Sequence, residues 1–424
     1  MAQNRHQKEV FVYAHWLGLD TPVLMGTLNI NKNRGKEIFS FEYNDEWLQS
    51  GIAQNLDPDL GLYSGPQYIR DEKANFGLFL DSSPDRWGRL LMRRGEAAQA
   101  RKEGREIKPL YESDYLLGVF DGHRMGALRF KTDPNSEFLN DNRRFATPTW
   151  TSIRTLEFAS LQLEREDISE DPEYYKWLNM LIAPGSSLGG ARPKASILDT
   201  NNELWIAKFP SLNDHKNVGA WEIIVNRLAI NAGLNVAYAK AQKFYGNHHT
   251  LLTKRFDRNT KGQRIHFTSA LTMLGYKDGA DYTDGVSYLE LAEFLIQKGA
   301  RVNEDLEELW KRIVFYICVS NTDDHLRNHG YILADDGWIL SPAFDINPNE
   351  TGAGLSLNIS MDDNSLELDL ALKIAEYFRL SNERAKAIIH QIKHSVQNWR
   401  TLSKGYSISK EEQDLMSGAF SKAY

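Results

Sequence analysis

The sequence contains a single cysteine, Cys318, which excludes a framework of intramolecular disulfides. This cysteine usage fits a reducing cytoplasm. No run of apolar residues approaches the ~20 that a membrane-spanning helix requires. The polar first residues are followed by no apolar core of the kind found in secretory signals, so we expect no signal peptide and no membrane contact.

An excess of positive charge is also lacking. The chain has 50 Lys and Arg against 57 Asp and Glu, a formal net charge of −7. This balance argues against sequence-independent coating of nucleic acid, although local basic faces remain possible. With 424 residues, of which 42% are hydrophobic, the chain is long enough for two or three packed domains.

Hydrophobic periodicity predicts a β-rich beginning followed by a helix and a linker. Ser83 is the expected cap of that helix, which runs to about residue 100, and the Pro- and Asn-containing residues 133–149 form the linker. Later patterns predict more helices, two of them in tandem near the end. The predicted strands are 10–16, 24–30, 38–43, 195–198, 204–209, 236–241 and 250–255, and the other predicted helices are 150–164, 171–182, 218–232, 287–299, 306–318, 382–402 and 410–422.

This order of elements predicts an α+β protein with a bilobed, protein-kinase-like fold and an N-terminal α/β subdomain. Residues 1–140 form the expected N-terminal subdomain. Residues 146–260 form a small β-rich lobe with a Gly-rich phosphate loop, and residues 261–424 form a large helical lobe with the catalytic loop.

The residues after the apolar stretch 306–318 carry the strongest chemical signal. Asp323 is followed by His325 and Asn328, and Asp345 lies at a later strand end. Kinases need one carboxylate to deprotonate a hydroxyl, and an Asn with a second Asp to hold magnesium on ATP. Two other interpretations stay open: polar turn formers, and a metal hydrolase with Asp323, Asp324, His325 and Asp345 as ligands.

A Gly-rich stretch supports the phosphate-binding interpretation. Gly189 and Gly190 let backbone N–H groups approach phosphate oxygens, and Lys194 follows at the start of a strand. This is not a Walker A loop, because Gly190 precedes Ala-Arg and not Lys-Ser or Lys-Thr. A plain turn is the alternative.

An apolar strand with a lysine gives further support. Lys208 has to reach solvent or find a partner, and Glu222 on the following helix is the natural one. Such a pair seats the phosphates of ATP in kinases. Residues 251–258 leave the small lobe as a strand whose backbone could receive the adenine edge.

Four motifs, at residues 189–194, 254–258, 321–329 and 340–345, resemble the HipA family. Members of that family are the serine/threonine kinase toxins of bacterial toxin–antitoxin pairs. The resemblance extends to the N-terminal part, at residues 26–28, 39–43 and 79–85, and so covers nearly the whole chain.

The resemblance implies Asp323 as the catalytic base and Asn328 with Asp345 as magnesium ligands. It also implies autophosphorylation of Ser187, with Ser186 as second choice, to switch the kinase off. At the hinge, Lys254 stands where the family's best-known member has an acidic residue, a change that a backbone contact to ATP would survive. The ATP-binding residues that it implies are Gly189, Gly190, Ala191, Arg192, Pro193, Lys194, Lys208, Lys254, Arg255, Phe256, His325, Asn328 and Asp345.

The expected activity is therefore an ATP- and Mg²⁺-dependent serine/threonine protein kinase in the cytoplasm. The resemblance implies a translation component, such as an aminoacyl-tRNA synthetase with its tRNA, as substrate. It also implies a HipB-like helix-turn-helix antitoxin, with DNA bound only through that partner. The alternative is a non-catalytic nucleotide-binding subunit that acts with a helix-turn-helix repressor.

Two basic stretches allow an electrostatic contact with nucleic acid. Residues 85–108 carry eight Lys/Arg against four Asp/Glu, and residues 383–404 carry five against one. Both are also explained by a solvated helix face.

Overall fold

The computed structural model describes residues 7–70, 73–139, 148–165, 168, 171, 173–182 and 190–424. The chain forms two compact units. The first unit comprises Met1–Ala207 and Asp257–Thr268, and the second comprises Lys208–Phe256 and Ser269–Tyr424. The three-part division made from the sequence stays a prediction.

A five-stranded sheet is the centre of the first unit, with strand order β4-β3-β2-β1-β5. Along β1 the apolar side chains of Val10, Val12 and Ala14 are fully buried. Arg34 and Gly35 form the two-residue turn between β2 and β3, and both have positive φ, as the twist of such a hairpin requires. The strands are β1 (Gln7–Ala14), β2 (Val23–Asn33), β3 (Lys36–Tyr43), β4 (Gln67–Tyr68) and β5 (Leu128–Lys131).

Six α-helices and the strands β6 and β7 accompany this sheet in the described part of the first unit. The helices are α1 (Asp45–Gln49), α2 (Gly77–Leu80), α3 (Arg86–Glu103), α4 (Glu112–Gly118), α5 (Ile153–Leu163) and α6 (Tyr174–Ile182). The strands β6 (Lys194–Leu198) and β7 (Leu204–Lys208) are hydrogen-bonded neighbours, and the last residue of β7 belongs to the second unit.

The predicted cap of α3 is wrong. Asp85, not Ser83, is the N-cap, and its carboxylate accepts from the N–H of Gly88 at 2.8 Å. The hydroxyl of Ser83 instead donates to the carbonyl of Phe79 at 2.8 Å, inside the preceding turn. Both side chains are suitable caps, so only the tertiary contacts decide which one the helix uses.

The second unit is mainly helical. Its strands are β8 (Ala239–Gln242), β9 (Thr250–Lys254), β11 (Gly330–Ala334) and β12 (Gly337–Leu340), whereas β10 (Phe267–Ser269) lies across the boundary between the units. Its helices are α7 (Val218–Asn231), α8 (Ala270–Met273), α9 (Tyr288–Lys298), α10 (Val302–Val319), α11 (Leu368–Lys373), α12 (Asn382–Val396), α13 (Trp399–Gly405) and α14 (Lys410–Leu415).

Two long helices predicted near the end are shorter in the structure. The predicted helix 382–402 is divided into α12 and α13 at Asn398, whose side chain donates to the carbonyl of His394 at 2.9 Å. This contact offers the backbone a local alternative to the helical ladder. The predicted helix 410–422 is α14 followed by a 3₁₀ segment, Met416–Ala423.

Helix α10 forms the core of the second unit and packs against α9, α11 and α12. Trp310 and Ile313 are fully buried, in agreement with the predicted apolar stripe. Near α7, the ring of Trp399 stacks on Phe420 at 4.5 Å between centroids and lies 6.0 Å from Trp221. In the part of the chain that the structure describes, we find no helix with the length and hydrophobicity needed to span a bilayer.

Candidate active site in the second unit

The loop that carries Asp323 begins where α10 ends. Ser320 has φ +49°, a left-handed conformation that turns the chain out of the helix. Asn321 is buried, whereas Asp323 is exposed. The loop therefore starts from a buried residue and exposes the predicted catalytic carboxylate to solvent.

Asn328 closes this loop from its far end. Its side-chain amide donates to the carbonyl of Asp323 at 2.9 Å, and the residue is only 2% exposed. Its side-chain oxygen, Oδ1, is buried without a hydrogen-bond partner among the described residues, and the same holds for Nδ1 of His325. A buried carbonyl-type oxygen without a donor suits a hard cation such as Mg²⁺.

Asp345 follows β12 in a strained backbone position, with φ +57°. The segment before it is held on both sides. Ala343 exchanges backbone hydrogen bonds with Asn235 and Ala237 at 2.9 and 2.8 Å, and the guanidinium of Arg312 donates to the carbonyl of Ser341 at 2.7 Å. Arg312, fully buried on α10, has a positioning role that sequence reasoning missed. Arg312 forms an ion pair at 3.0 Å with Glu308, four residues earlier on the same helix. This spacing could have indicated the ion pair from the sequence.

Lys208 connects Asp345 with α7. Its ammonium lies 2.5 Å from Glu222 Oε1 and 2.7 Å from Asp345 Oδ1. Burial lowers the pKa of Lys208, but the two carboxylates outweigh that effect and hold the pKa above its ordinary value. The structure thus brings together Lys208, its predicted partner Glu222, and the predicted metal ligand Asp345.

Asn347 joins this ion-pair group to the Asp323 loop. Its side-chain amide donates to Asp345 Oδ1 at 2.8 Å, and its backbone N–H donates to Asn321 Oδ1 at 2.9 Å. A second amide, from Asn349, donates to the hydroxyl of Thr322 at 2.7 Å. Neither asparagine was predicted from the sequence, although amides at alternate positions directly after Asp345 could have indicated them.

Asp324 lies on the buried side of the loop and contacts Tyr288 and His329. All three residues are fully buried. Its Oδ2 accepts from the hydroxyl of Tyr288 and lies 2.8 Å from His329 Nε2. Burial, together with the Asp324 charge, raises the pKa of Tyr288 well above its ordinary value, so the phenol is protonated and donates. The metal-hydrolase interpretation counted Asp324 as a ligand, and this placement speaks against it.

The predicted hinge begins inside a strand pair. The backbone N–H of Lys254 donates to the carbonyl of Tyr238 at 2.8 Å, so this N–H is engaged. Arg255 is 3% exposed. The ring of Phe256 lies 5.5 Å from that of Phe344, next to Asp345. The assignment of the three hinge residues to ATP stays a prediction.

The Gly-rich segment belongs to the first unit, and Ser186, Ser187 and Gly189 lie outside the described residues. Gly190 has φ +94°, a conformation that favours glycine.

Strand β6, which begins shortly after Gly190, is anchored by a buried lysine at its first residue. Ala191 is exposed, Arg192 is half-buried and Pro193 is buried. Lys194, 2% exposed, lies 3.0 Å from the carboxylate of Asp85. This placement favours a structural role for Lys194, and its assignment to ATP stays a prediction.

Basic side chains in both stretches pair with acidic side chains. Arg89 binds Glu112 at 2.6 Å and Arg105 binds Glu96 at 2.5 Å. In the later stretch, Arg384 binds Glu307 and Arg400 binds Asp414, at 2.6 and 3.2 Å. This pairing favours a solvated, ion-paired surface for both stretches.

In the described part of the chain, no three His, Cys, Asp or Glu residues form a group that could hold a metal ion. The predicted magnesium set, Asn328 with Asp345, is smaller and consists of oxygen donors. Mg²⁺ is usually held in this way, by one or two carboxylates together with substrate phosphates. The donor chemistry of the site therefore fits Mg²⁺ bound with a nucleotide.

The fold resembles that of a solved toxin structure. HipA of Shewanella oneidensis MR-1, determined with HipB and operator DNA, matches with a TM-score of 0.69 at 16% sequence identity. The alignment covers 98% of this chain and 95% of that one. The protein is thus of the α+β, kinase-like fold class, as predicted.

The family follows from the sequence itself. Residues 186–399, half of the chain, match the family model described as the HipA-like C-terminal domain. The chain belongs to this family, and the predicted resemblance is confirmed.

Two curated relatives match part of the chain in sequence. "Putative kinase Y4mE" of Sinorhizobium fredii is 26% identical over 181 residues, and a "Putative kinase" of Haemophilus influenzae is 26% identical over 179 residues. Each alignment covers 38% of this chain. It spans 41% of the first relative and 52% of the second, so the chain matches about half of their length or less.

Proposed function

We propose that this protein is an ATP- and Mg²⁺-dependent protein kinase that phosphorylates Ser or Thr. The observation that carries the proposal is the Lys208 ammonium held between Glu222 and Asp345. Asn347 joins this group to the loop that bears Asp323. A lysine–glutamate pair, a metal-binding Asp and a catalytic-loop Asp with its Asn are the parts that phosphoryl transfer to a hydroxyl requires.

Each residue has one task in the proposed reaction. Asp323 accepts the proton of the acceptor hydroxyl, whose oxygen forms a bond to the γ-phosphorus while the bond to the β,γ-bridging oxygen breaks and ADP leaves. Lys208 binds phosphate oxygens, and Glu222 holds Lys208 in place. Asn328 Oδ1 and the Asp345 carboxylate would hold Mg²⁺, which would supply neutralisation of the phosphate charge.

The test compares the wild-type protein with Asp323→Asn. We expect the variant to bind ATP with unchanged affinity in calorimetry but to lose at least about 100-fold in phosphate incorporation, because the base is absent. Asp336→Asn, at an exposed turn between β11 and β12, is the matched control and should keep full activity. Unchanged incorporation in Asp323→Asn would exclude Asp323 as the base.

The labelling assay, together with a phosphoester-cleavage assay, separates two other candidate functions. A non-catalytic nucleotide-binding subunit, acting with a helix-turn-helix repressor, would bind ATP without labelling any protein. A metal hydrolase would cleave simple phosphoesters without ATP. The contacts of Asp324 with Tyr288 and His329 favour the kinase over the hydrolase.

Regulation and partners are proposed from the family. Autophosphorylation at Ser187, or at the adjacent Ser186, would switch the kinase off, and mass spectrometry with and without ATP reads this directly. The Shewanella oneidensis HipA structure includes HipB and operator DNA, so we propose a HipB-like antitoxin that brings this protein to DNA. A translation component, such as an aminoacyl-tRNA synthetase with its tRNA, is the proposed substrate, in the cytoplasm and with growth arrest as the outcome.

A further inference from the structure

The interior side of the Asp323 loop contains polar groups that the proposed chemistry does not use. Asp324 and His329 are each 0% exposed, and Asp324 Oδ2 lies 2.8 Å from His329 Nε2. The hydroxyl of Tyr288 donates to the same oxygen. Burying polar side chains costs free energy unless they form hydrogen bonds with one another. The presence of these three residues in the interior therefore needs an explanation.

The positions of these residues along the loop supply that reason. Asp324 directly follows Asp323, and His329 directly follows Asn328. The buried contact between Asp324 and His329 therefore ties the two ends of the loop on its inner side. The hydrogen bond from the Asn328 side chain to the Asp323 carbonyl joins the same two ends a second time.

Aromatic side chains restrict the His329 ring. The ring of Tyr288 meets it edge-on at 5.6 Å between centroids, and the ring of Tyr316 lies 6.1 Å away. Tyr288 is itself fixed at the start of α9, where its backbone N–H donates to the carbonyl of Asn358 at 3.0 Å. The contact between Asp324 and His329 is thus connected to two helices, α9 and α10, and not only to the loop.

We propose that Tyr288, Asp324 and His329 are positioning residues that set Asp323 and Asn328 in the geometry for proton acceptance and metal binding. This inference rests on the proposed kinase function. It assigns the three residues an effect on turnover and on metal affinity, beyond their contribution to the stability of the core. Residues that orient metal ligands through hydrogen bonds typically alter affinity or activity by about 10- to 100-fold.

The test removes only the Tyr288 hydroxyl, with Tyr288→Phe. We expect kcat to fall about tenfold or more, the KM for ATP to stay within about twofold, and the half-saturating Mg²⁺ concentration to rise several-fold. A second readout needs no catalysis: the affinity for Mn²⁺, measured by electron paramagnetic resonance with a non-hydrolysable ATP analogue, should fall in parallel.

Tyr331→Phe is the matched control. Tyr331 is also fully buried, on β11, and its hydroxyl has no hydrogen-bond partner among the described residues. This variant should leave turnover and Mn²⁺ affinity unchanged. For His329, the amide of His329→Gln should recover part of the activity that His329→Leu loses, because it restores a donor to Asp324.

The outcomes are distinguishable. Unchanged turnover and Mn²⁺ affinity in Tyr288→Phe would overturn the positioning role, and so would an equal loss in Tyr331→Phe, which indicates general loosening of the core. A wild-type protein that transfers no phosphate would instead contradict the proposed function. In that case the Mn²⁺ measurement still decides whether the three residues position Asn328.

Discussion

At the scale of single residues, Lys208 has the largest consequence. Its ammonium forms ion pairs with Glu222, which is 7% exposed, and with Asp345, whose side chain is 23% exposed. The lysine therefore satisfies a buried carboxylate and orients a predicted metal ligand at the same time. Removing one partner of a buried ion pair leaves an uncompensated charge.

We predict that Lys208→Met lowers the free energy of unfolding by about 3–5 kcal/mol, since Glu222 loses its counter-charge. Denaturant titration measures this loss, and ATP calorimetry should show weakened binding. The control is Lys176→Met. Lys176 pairs with Glu173 at the same 2.5 Å distance, but their side chains are 66% and 52% exposed. Its expected cost is below about 1 kcal/mol. Equal costs for the two variants would contradict the assigned role of burial.

At the scale of elements, α7 has to approach its neighbours closely to bring Glu222 to Lys208. A Cβ at Gly219, the second residue of α7, would lie 2.1 Å from the carbonyl oxygen of His249. That neighbour is backbone and cannot move aside as a flexible side chain can. The close packing of α7 therefore depends on a glycine at this position.

We predict that Gly219→Ala destabilises the protein by about 1–3 kcal/mol, because the clash outweighs the better helix propensity of alanine. The KM for ATP should also rise, since α7 carries Glu222. In the control Gly405→Ala, at the end of α13, no heavy atom lies within 4 Å of the new Cβ. A small gain, about 0.5 kcal/mol, is expected there. Thermal unfolding measures both, and a stabilised Gly219→Ala would refute the argument.

At the scale of the whole molecule, ligand binding is expected to stabilise the fold. The residues proposed to hold ATP and Mg²⁺ in the second unit include Lys208, Asn328 and Asp345. A ligand that binds only the folded protein stabilises it by an amount set by its concentration and affinity.

We predict that ATP at 100 times its Kd raises the free energy of unfolding by about 2.7 kcal/mol when Mg²⁺ is present. Chelation of Mg²⁺ with EDTA should remove most of this gain, and in Asp345→Asn the gain should no longer depend on Mg²⁺. Differential scanning calorimetry reads each case. The same midpoint with and without Mg²⁺ in the wild type would argue against the metal assignment of Asn328 and Asp345.

Local patterns predicted elements well where the determining contacts are close in sequence. The helix predicted at 287–299 is α9, which begins with a capping box of Ser287 and Glu290, and the apolar residues of the stretch 306–318 are buried in α10. Predictions failed where distant contacts compete. Ser83 and Asp85 were both suitable caps for α3, and Asp85 is the one that also meets Lys194. The break at Asn398 has a different, local cause, because its side chain donates to the carbonyl of His394 four residues earlier.

For the site, the sequence alone was enough to select Asp323, Asn328, Lys208 and Asp345 as candidate residues. Their order and spacing can be read directly from the chain and resemble those of a known family. Only the tertiary structure decided which side chains hold them. Asn347 and Arg312 contact residues 26 and 29 positions away, and no local pattern records such distances. Asp323 and Asp324 are neighbours of the same type, yet one is exposed and the other fully buried against Tyr288 and His329. Their separation arises from packing, which places one carboxylate in water and the other among donors in the interior.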